Sequence, residues 1–307
     1  MTHETTRFTV VGIGEILWDI YREDRYLGGA PTNFAIHATQ LGDQGIIVSR
    51  IGNDGMGEEL IRVLKKKKVV TDYLQIDRKK GTGSVHISLS VSGEPHFYCT
   101  DDVAFDYLQF TPALSKLAEE ADAVVFGSLA QRNPVSRETI QKFIQKARGV
   151  CVFDLNARQV HGDFPEIVRN SLEYTRILKV NEEEMDLLKK VFHKEGDPDI
   201  AFCRMLMQQF PIEFVAVTRG EKGAALIYPD KIYMDEGVPV KPVDSTGAGD
   251  AFTAAMLHAY LRRQRPEEMV AFANLAAAYV CTHRGATPPM NQKTLTVFAE
   301  QHQKRQA

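Results

Sequence analysis

The sequence lacks the features that would place it among basic, membrane-spanning or secreted proteins. Its 37 Lys and Arg residues stand against 40 Asp and Glu residues, so no overall positive field is available to attract nucleic acid or anionic lipid. No stretch reaches the roughly 18 uninterrupted apolar residues that a membrane-spanning helix requires. The first residues also lack the charged segment and long apolar stretch of a secretory signal. We therefore expect a cytoplasmic protein that binds neither nucleic acid nor membranes.

Cysteine is also scarce, and the few cysteines stand far apart in the sequence. None forms the close CxxC pair that zinc sites and dithiol enzymes use. We interpret all of them as reduced thiols in or near the core: Cys99, Cys151, Cys203 and Cys281.

What the sequence does have is the composition of an ordinary globular protein, with 44% hydrophobic and 25% charged residues. Short apolar or β-branched runs alternate with helical segments, several of which begin at a proline, aspartate or asparagine. Such alternation is typical of βαβ units whose strands are buried on both faces. We predict one α/β domain over residues 1–307, with a doubly wound, mainly parallel sheet flanked by helices. The predicted strands lie at residues 8–14, 45–51, 123–127, 150–155, 176–180 and 214–218.

Two stretches break this alternation. In residues 15–27 and 82–98 apolar and polar side chains alternate, and Ser92-Gly93 has the composition of a hairpin turn. We predict a small separate β-sheet, a lid built from about residues 15–27 and 82–106, over the strand ends where such folds bind ligands. A lid of this kind would exclude water from a reacting phosphate.

The segment VDSTGAGDAF, residues 243–252, carries the strongest chemical signal. Its small residues allow several consecutive backbone N–H groups to point at one spot at the start of an apolar helix, which makes an anion site. Asp250 falls in the first helical turn, where a carboxylate could accept the proton of an attacking hydroxyl group. In a plainer interpretation, Gly247 and Gly249 shape a tight turn and Asp250 complements the helix dipole.

Two common nucleotide-binding motifs are missing from the sequence. No Gly-Lys dipeptide occurs, which excludes the GxxxxGK[ST] P-loop. Leu17 stands where a GxGxxG fingerprint beginning at Gly12 needs its third glycine, and this argues against a dehydrogenase on a similar sheet.

Two longer segments carry a resemblance to a known family. LGGAPTNFAIHATQLG, residues 27–42, and DSTGAGDAF, residues 244–252, resemble the two signatures of the ribokinase-like, or PfkB-type, carbohydrate kinases. Further matches follow in family order at residues 52–57, 181–184, 218–223 and 285–288, so the resemblance covers essentially the whole chain. It implies a ribokinase-like fold and ATP-dependent, Mg²⁺-assisted phosphorylation of a sugar hydroxyl.

The resemblance also implies roles for single residues at the reacting centre. Asp250 is similar to the catalytic base of the family, and the amides of Gly247, Ala248 and Gly249 are similar to its anion hole.

The implied sugar contacts are Asp19, Gly29 and Asn33. Carboxylates and amides suit sugars because each takes two or more hydrogen bonds in a fixed plane. The alternative interpretation of Asp19 is a surface charge on a lid strand, and that of Asn33 is a cap at the start of a helix.

Cation and nucleotide sites are implied by the remaining matches. Glu184, in the NxxE element, would hold a hydrated Mg²⁺ ion, although glutamates in a first helical turn also complement the helix dipole. The implied nucleotide contacts are Asn181, Thr218, Gly220, Gly223 and Asn274. Asp244, the carbonyl of Thr246 and the loop at Gly285 resemble a monovalent-cation site, so activation by K⁺ is a hypothesis.

The identity of the sugar depends on fewer residues. FDLNAR, residues 153–158, and GEILWD, residues 14–19, resemble the fructokinase branch, in which Arg158 would contact the substrate or balance phosphate charge. A surface salt bridge is the alternative for Arg158. That branch leads us to expect an Arg after Phe97-Tyr98, where this sequence has Cys99. We predict D-fructose as the substrate, with 2-keto-3-deoxygluconate second and ribose or nucleosides third.

A non-catalytic sugar sensor is the candidate from another class of function. The presence of the base, the anion-hole residues and the cation residues argues against it. Because unpaired strand edges favour pairing, we also predict a homodimer formed through the lid.

Overall fold

The computed structural model describes residues 6–21, 24–89, 95–158 and 162–306. Its strands, in chain order, are β1 (Thr9–Ile13), β2 (Leu17–Tyr21), β3 (Asp24–Gly28), β4 (Gln44–Gly52), β5 (Leu74–Asp77), β6 (Gly83–Leu89), β7 (Pro95–Cys99), β8 (Ala123–Phe126), β9 (Val150–Asp154), β10 (Ile177–Asn181), β11 (Phe214–Thr218), β12 (Ala224–Ile227) and β13 (Ile232–Asp235). Its α-helices are α1 (Ala30–Leu41), α2 (Gly55–Lys66), α3 (Pro112–Glu120), α4 (Pro134–Lys146), α5 (Phe164–Leu172), α6 (Glu182–Val191), α7 (Asp199–Gln209), α8 (Ala248–Leu261), α9 (Pro266–Cys281) and α10 (Gln292–Gln306).

The larger sheet has the predicted doubly wound arrangement. Within the described residues, nine strands form it in the order β13-β12-β11-β10-β9-β8-β1-β4-β5. All neighbours from β11 to β5 are parallel, and β12 and β13 add antiparallel strands at one edge. The chain extends the sheet outward from β1 in one direction and from β8 in the other. The prediction of a mainly parallel α/β fold is confirmed.

Three strands at the edges of this sheet were not predicted from the sequence. β5, β12 and β13 have only four residues each. A run of four residues is too short for a period to distinguish a buried strand from a short apolar loop.

A second, smaller sheet contains both stretches that break the alternation. Its strand order is β3-β2-β6-β7, with β2 and β6 parallel and the other neighbours antiparallel. It begins directly after β1, so it lies beside the carboxyl end of that strand. The Ser92-Gly93 turn lies outside the described residues, and the covering role of this sheet stays a prediction.

Helices cover both faces of the larger sheet. Val124 of β8 packs into a core cluster with side chains of α3 to α7, whereas the adjacent Val125 packs with side chains of α1, α8 and α9. Successive side chains of a strand point to opposite faces, so strands buried on both faces need apolar residues at every position. This explains the near-continuous apolar runs that identified the central strands.

Polar residues fix the starts of several helices. At α2, Asp54 Oδ1 accepts a hydrogen bond of 2.8 Å from the amide of Gly57. At α4, the Asn133 side chain caps the helix and Pro134 occupies its first position.

None of the described helices is both long and apolar enough to span a bilayer. All the cysteines are free thiols, as predicted, and Cys281 is the least buried of them.

Candidate active site

The predicted site residues lie at the carboxyl ends of the central strands. β9 ends at Asp154 and β10 at Asn181, and α1 and α8 begin beside them. A small cavity at this edge is lined by apolar side chains and two carboxylates: Ala30, Pro31, Phe34, Val125, Phe126, Gly127, Asp154 and Asp250. Parallel α/β sheets bind ligands at this edge.

The glycine-rich turn before α8 has a conformation that requires glycine. Gly247 is the N-cap residue of α8 and has a φ of 78°, in the left-handed region. A Cβ atom at this position would lie 2.4 Å from the carbonyl oxygen of Ala286. The turn therefore packs directly against the loop at Gly285. The amide of Ala248 donates to the carbonyl oxygen of Ser245 at 3.2 Å within this turn. The amides of Gly247 and Gly249 flank it at the helix start, the position where proteins bind anions.

Asp250 and Asn33 form a hydrogen bond that joins the two signature segments. Asn33 Nδ2 donates to Asp250 Oδ2 at 2.8 Å, across 217 residues of sequence. Burial and the nearby Asp154 carboxylate raise the pKa of Asp250 to about 6. This carboxylate is therefore more basic than that of an exposed aspartate. Such a carboxylate is suited to accept a proton near neutral pH.

The turn into α1 holds Asp19 close to the backbone. Gly29 has a φ of 100°, and a Cβ atom there would lie 2.5 Å from the carbonyl oxygen of Glu15. A Cβ at Gly28 would lie 2.3 Å from Asp19 Oδ2. Burial raises the pKa of Asp19 to about 6, against the opposing charge of Arg158. The structure thus places Asp19, Gly29 and Asn33 around one turn.

Asn181 and Glu184 form a reciprocal cap at the start of α6. Asn181 Oδ1 accepts from the amide of Glu184 at 2.8 Å, and Glu184 Oε2 accepts from the amide of Asn181 at 2.9 Å. Glu184 Oε1 accepts a third bond from the amide of Ala157. Each carboxylate oxygen keeps a second lone pair, so this glutamate fits a hydrated Mg²⁺ bound through water.

The residues expected at the nucleotide lie together beyond the end of β11. Thr218 ends that strand, and Gly220 and Gly223 both have a positive φ in the turn that follows. A Cβ at Gly223 would lie 2.0 Å from the backbone carbonyl oxygen of Asp235. The side chain of Asp235 accepts a hydrogen bond of 2.7 Å from Asn274 Nδ2. These contacts join the turn to α9.

Asp244 connects the turn before α8 to the loop at Gly285. Its two oxygens accept from the amides of Thr246 and Gly285, each at 2.9 Å. Although burial disfavours the charge, these bonds hold the pKa of Asp244 below its usual value. In the described part of the chain, no group of three or more His, Cys, Asp or Glu side chains is placed to hold a metal ion. A monovalent cation here would therefore need backbone carbonyls as ligands.

Arg158 is exposed, and its Nε donates to Asn156 Oδ1 at 3.1 Å within its own loop. Its positive charge partly offsets the rise in the pKa values of Asp19 and Asp250. At the end of β7, the position where we expected an arginine, Cys99 Sγ lies 3.3 Å from Arg132 Nη1. An arginine from a different element thus occupies this neighbourhood.

Three polar residues beside Asp250 were not predicted from the sequence to belong to the site. Lys179 Nζ lies 3.0 Å from Asp154 Oδ1, and Thr253 Oγ1 donates to Asp154 Oδ2 at 2.8 Å. The detectable signal was a charged residue inside an apolar strand, which occurs in both β9 and β10. Buried charges of this kind are paired or functional.

Comparison with known proteins agrees with this geometry. The profile of the pfkB family of carbohydrate kinases matches residues 20–293. An uncharacterised sugar kinase of Pyrococcus horikoshii is 33% identical over 95% of this chain and 96% of its own, and its crystal structure superposes with a TM-score of 0.78. A Vibrio cholerae fructokinase, crystallised with fructose, ADP and potassium ion, is 25% identical, with a TM-score of 0.82 over 96% of this chain and 99% of its own.

The structure of an ATP-bound fructokinase from Xylella fastidiosa is 20% identical and supports the fold alone. Its TM-score is 0.85 over 96% of this chain and 99% of its own. The family match spans both signature segments and the elements between them, on the fold described above. The chain belongs to the pfkB family of carbohydrate kinases.

Proposed function

We propose that this protein is an ATP-dependent fructokinase, which transfers the γ-phosphoryl group of ATP to a hydroxyl of D-fructose. The observation that carries the proposal is the hydrogen bond between Asn33 and Asp250 at the start of α8. It joins a residue suited to bind a sugar to a residue suited to accept a proton, beside backbone amides suited to bind phosphate.

In this proposal each part of the site has one task. Asp250 accepts the proton of the attacking hydroxyl group, since its raised pKa makes it a stronger base than an ordinary carboxylate. The amides of Gly247, Ala248 and Gly249 stabilise negative charge on the transferring group. Asn33 has its Oδ1 buried without a partner among the described residues, so it can accept a hydrogen bond from a sugar hydroxyl.

ATP would lie against the turn at Gly220 and Gly223 and the helix that carries Asn274, with its phosphates toward Asn181. A hydrated Mg²⁺ ion near Glu184 would neutralise phosphate charge. The family membership supports ATP as the phosphate donor, and the crystal structure of the Pyrococcus horikoshii sugar kinase in complex with ATP supports it further.

D-fructose is favoured by the FDLNAR segment and by the fructose-bound Vibrio cholerae relative. Cys99 weighs against it, because an arginine was expected at that position. 2-Keto-3-deoxygluconate is the second candidate. It would require a cationic side chain facing its carboxylate, and Arg158 is suited to that role.

A panel of sugars tests the proposal. The purified protein is incubated with ATP, Mg²⁺ and, separately, D-fructose, 2-keto-3-deoxygluconate, ribose and a nucleoside, and ADP release is coupled to NADH oxidation. We expect the highest kcat/KM with D-fructose. A higher value with another sugar would reassign the substrate, and sugar binding without ADP release would identify a sensor.

We further infer that K⁺ binds between Asp244, the carbonyl of Thr246 and the loop at Gly285. This cation would brace the turn before α8, because the same loop contacts Gly247. Rates are compared in buffers that contain K⁺, only Na⁺, or only Tris. We expect faster turnover with K⁺, and equal rates in all three buffers would contradict the site.

The small sheet supports a proposal of homodimerisation. Among the described strands, β3 and β7 are its edges, and they carry Tyr26 and Tyr98, which are 40% and 63% exposed. Exposed aromatic side chains on an unpaired edge favour pairing with another strand.

A further inference from the structure

Lys179 is a buried cation to which the proposed reaction assigns no task. It lies on β10 with its side chain only 8% exposed, and its ammonium group is 3.0 Å from Asp154 Oδ1. Thr253 Oγ1 donates to the other oxygen of Asp154 at 2.8 Å. Asp154 is therefore fixed by two neighbours, and it fixes the ammonium group in turn.

The ammonium group lies directly against the turn that forms the anion hole. A Cβ atom built on Gly249 would lie 3.1 Å from Lys179 Nζ. Gly249 is in the first turn of α8, one residue before Asp250. Because glycine has no Cβ, the ammonium group can approach the backbone at the start of the helix closely.

The surroundings keep Lys179 charged. Burial alone would lower the pKa of Lys179, but the Asp154, Glu184 and Asp250 carboxylates outweigh burial and hold the pKa above its usual value. An ammonium group has three N–H donors, of which the hydrogen bond with Asp154 uses one. A fixed, charged donor in a dry site is far more effective toward an anion than the same donor in water.

We propose that Lys179 is a further catalytic residue, which donates a hydrogen bond to the γ-phosphoryl group of ATP at the anion hole, with Asp154 and Thr253 as its positioning residues. The inference rests on the proposed kinase function, because it requires a nucleotide triphosphate in this site. It adds a charged side chain to an anion hole otherwise built from backbone amides.

Lys189 provides a matched control elsewhere in the same chain. Its side chain is also 8% exposed and pairs with Asp199, but it lies in the last turn of α6, away from the start of α8. Replacing either lysine with methionine removes one buried, paired cation of equal exposure. Only Lys179→Met removes a cation beside Gly249.

Calorimetric titration with a non-hydrolysable ATP analogue and with ADP, both with Mg²⁺, tests the proposal without any sugar. We expect Lys179→Met to weaken binding of the analogue by roughly tenfold or more, the range for a hydrogen bond to a charged group. ADP, which lacks the γ-phosphoryl group, should bind nearly as tightly as to the wild type. Lys189→Met should change neither affinity.

The single variant leaves the buried Asp154 carboxylate without its cation and could fail to fold for that reason. The double variant Lys179→Met/Asp154→Asn removes both charges of the pair and provides a second test. The same selective loss of analogue affinity is expected there. Equal losses for the analogue and ADP, or no loss, would overturn the role of Lys179 alone. A wild-type protein that binds neither nucleotide would overturn the proposed function as well.

Discussion

At the scale of the residue, burial sets the proton affinity of the carboxylates around Asp250. Burial raises the pKa of Asp250 and of Asp19 to about 6, and the pKa of Glu15 to about 7. An exposed aspartate would be fully ionised well below neutral pH but would be a weak base. The enclosed position therefore makes Asp250 a more effective proton acceptor.

The first prediction concerns Asp250 itself. Asp250→Asn keeps the size of the side chain and an oxygen that can accept the Asn33 hydrogen bond, but it removes the base. We expect kcat for the preferred sugar to fall by about 10²–10⁴-fold, the usual contribution of a general base. The melting temperature serves as the control and should not fall, because the variant buries one charge fewer. Wild-type turnover by Asp250→Asn would contradict the assignment.

The second prediction concerns pH. Asp250 must be ionised to accept a proton, and the pKa of this carboxyl group is raised from 3.8 to about 6. Activity should therefore fall as the pH is lowered through about 6. The groups that bear on this carboxylate include Asp154, Lys179, Arg158, Asn33 and Glu15.

The measurement is the pH profile of kcat/KM for the free enzyme, which reports the pKa of its essential base. We expect an acidic limb with an apparent pKa of about 6. An acidic limb whose apparent pKa is close to that of an ordinary aspartate would show that Asp250 is ionised more easily than its burial indicates.

Individual site residues could be predicted from the sequence only where short motifs surround them. Asp250 and Asn33 lie in segments with distinctive small residues, whereas their mutual hydrogen bond could not be read from the sequence. Lys179 and Asp154 are single charges in otherwise apolar strands. Which charges pair in the interior depends on the register of β9 against β10, which pairs Lys179 with Asp154.

At the scale of the element, the start of α8 depends on backbone shape. Gly247 combines a φ of 78° with close packing against the carbonyl oxygen of Ala286. Gly247→Ala would force the turn away from that loop and move the amides that follow. We expect kcat to fall by about 100-fold or more, the cost of losing an oxyanion-hole donor.

Gly55→Ala is the matched control for this prediction. Gly55 also stands at the start of a helix, α2, but its φ is not positive and a Cβ there would have no described atom within 4 Å. Activity should be unchanged, with a gain in stability of roughly 0.4–1 kcal/mol from the stiffer unfolded chain. Kinetics and thermal melting of both variants check the pair. Equal activity of Gly247→Ala and wild type would contradict the anion hole.

The elements could be predicted from the sequence where their periodicity was strong. The six predicted strands all appear, as β1, β4, β8, β9, β10 and β11, because residues buried on both faces give continuous apolar runs. The small sheet was recognised as separate by its alternation of polar and apolar residues. Its strand order was not predicted, because the parallel pairing of β2 and β6 joins segments far apart in the chain.

At the scale of the whole molecule, the proposed dimer can be measured directly. We expect light scattering at micromolar concentration to give twice the mass of one 34.4 kDa chain. Tyr98→Lys places a charge on the edge strand β7 and should yield monomers, since charged edges resist pairing. A monomeric wild type, or a dimeric Tyr98→Lys variant, would exclude an interface at that edge.

The bond between Asn33 and Asp250 has a consequence for the making of the protein. Its donor emerges early from the ribosome and its acceptor only after most of the chain has been translated. Chains that stop before Asp250 therefore contain Asn33 without this hydrogen-bond acceptor. Under the proposed mechanism such fragments would lack the base, so phosphate transfer would begin only when a nearly complete polypeptide has folded.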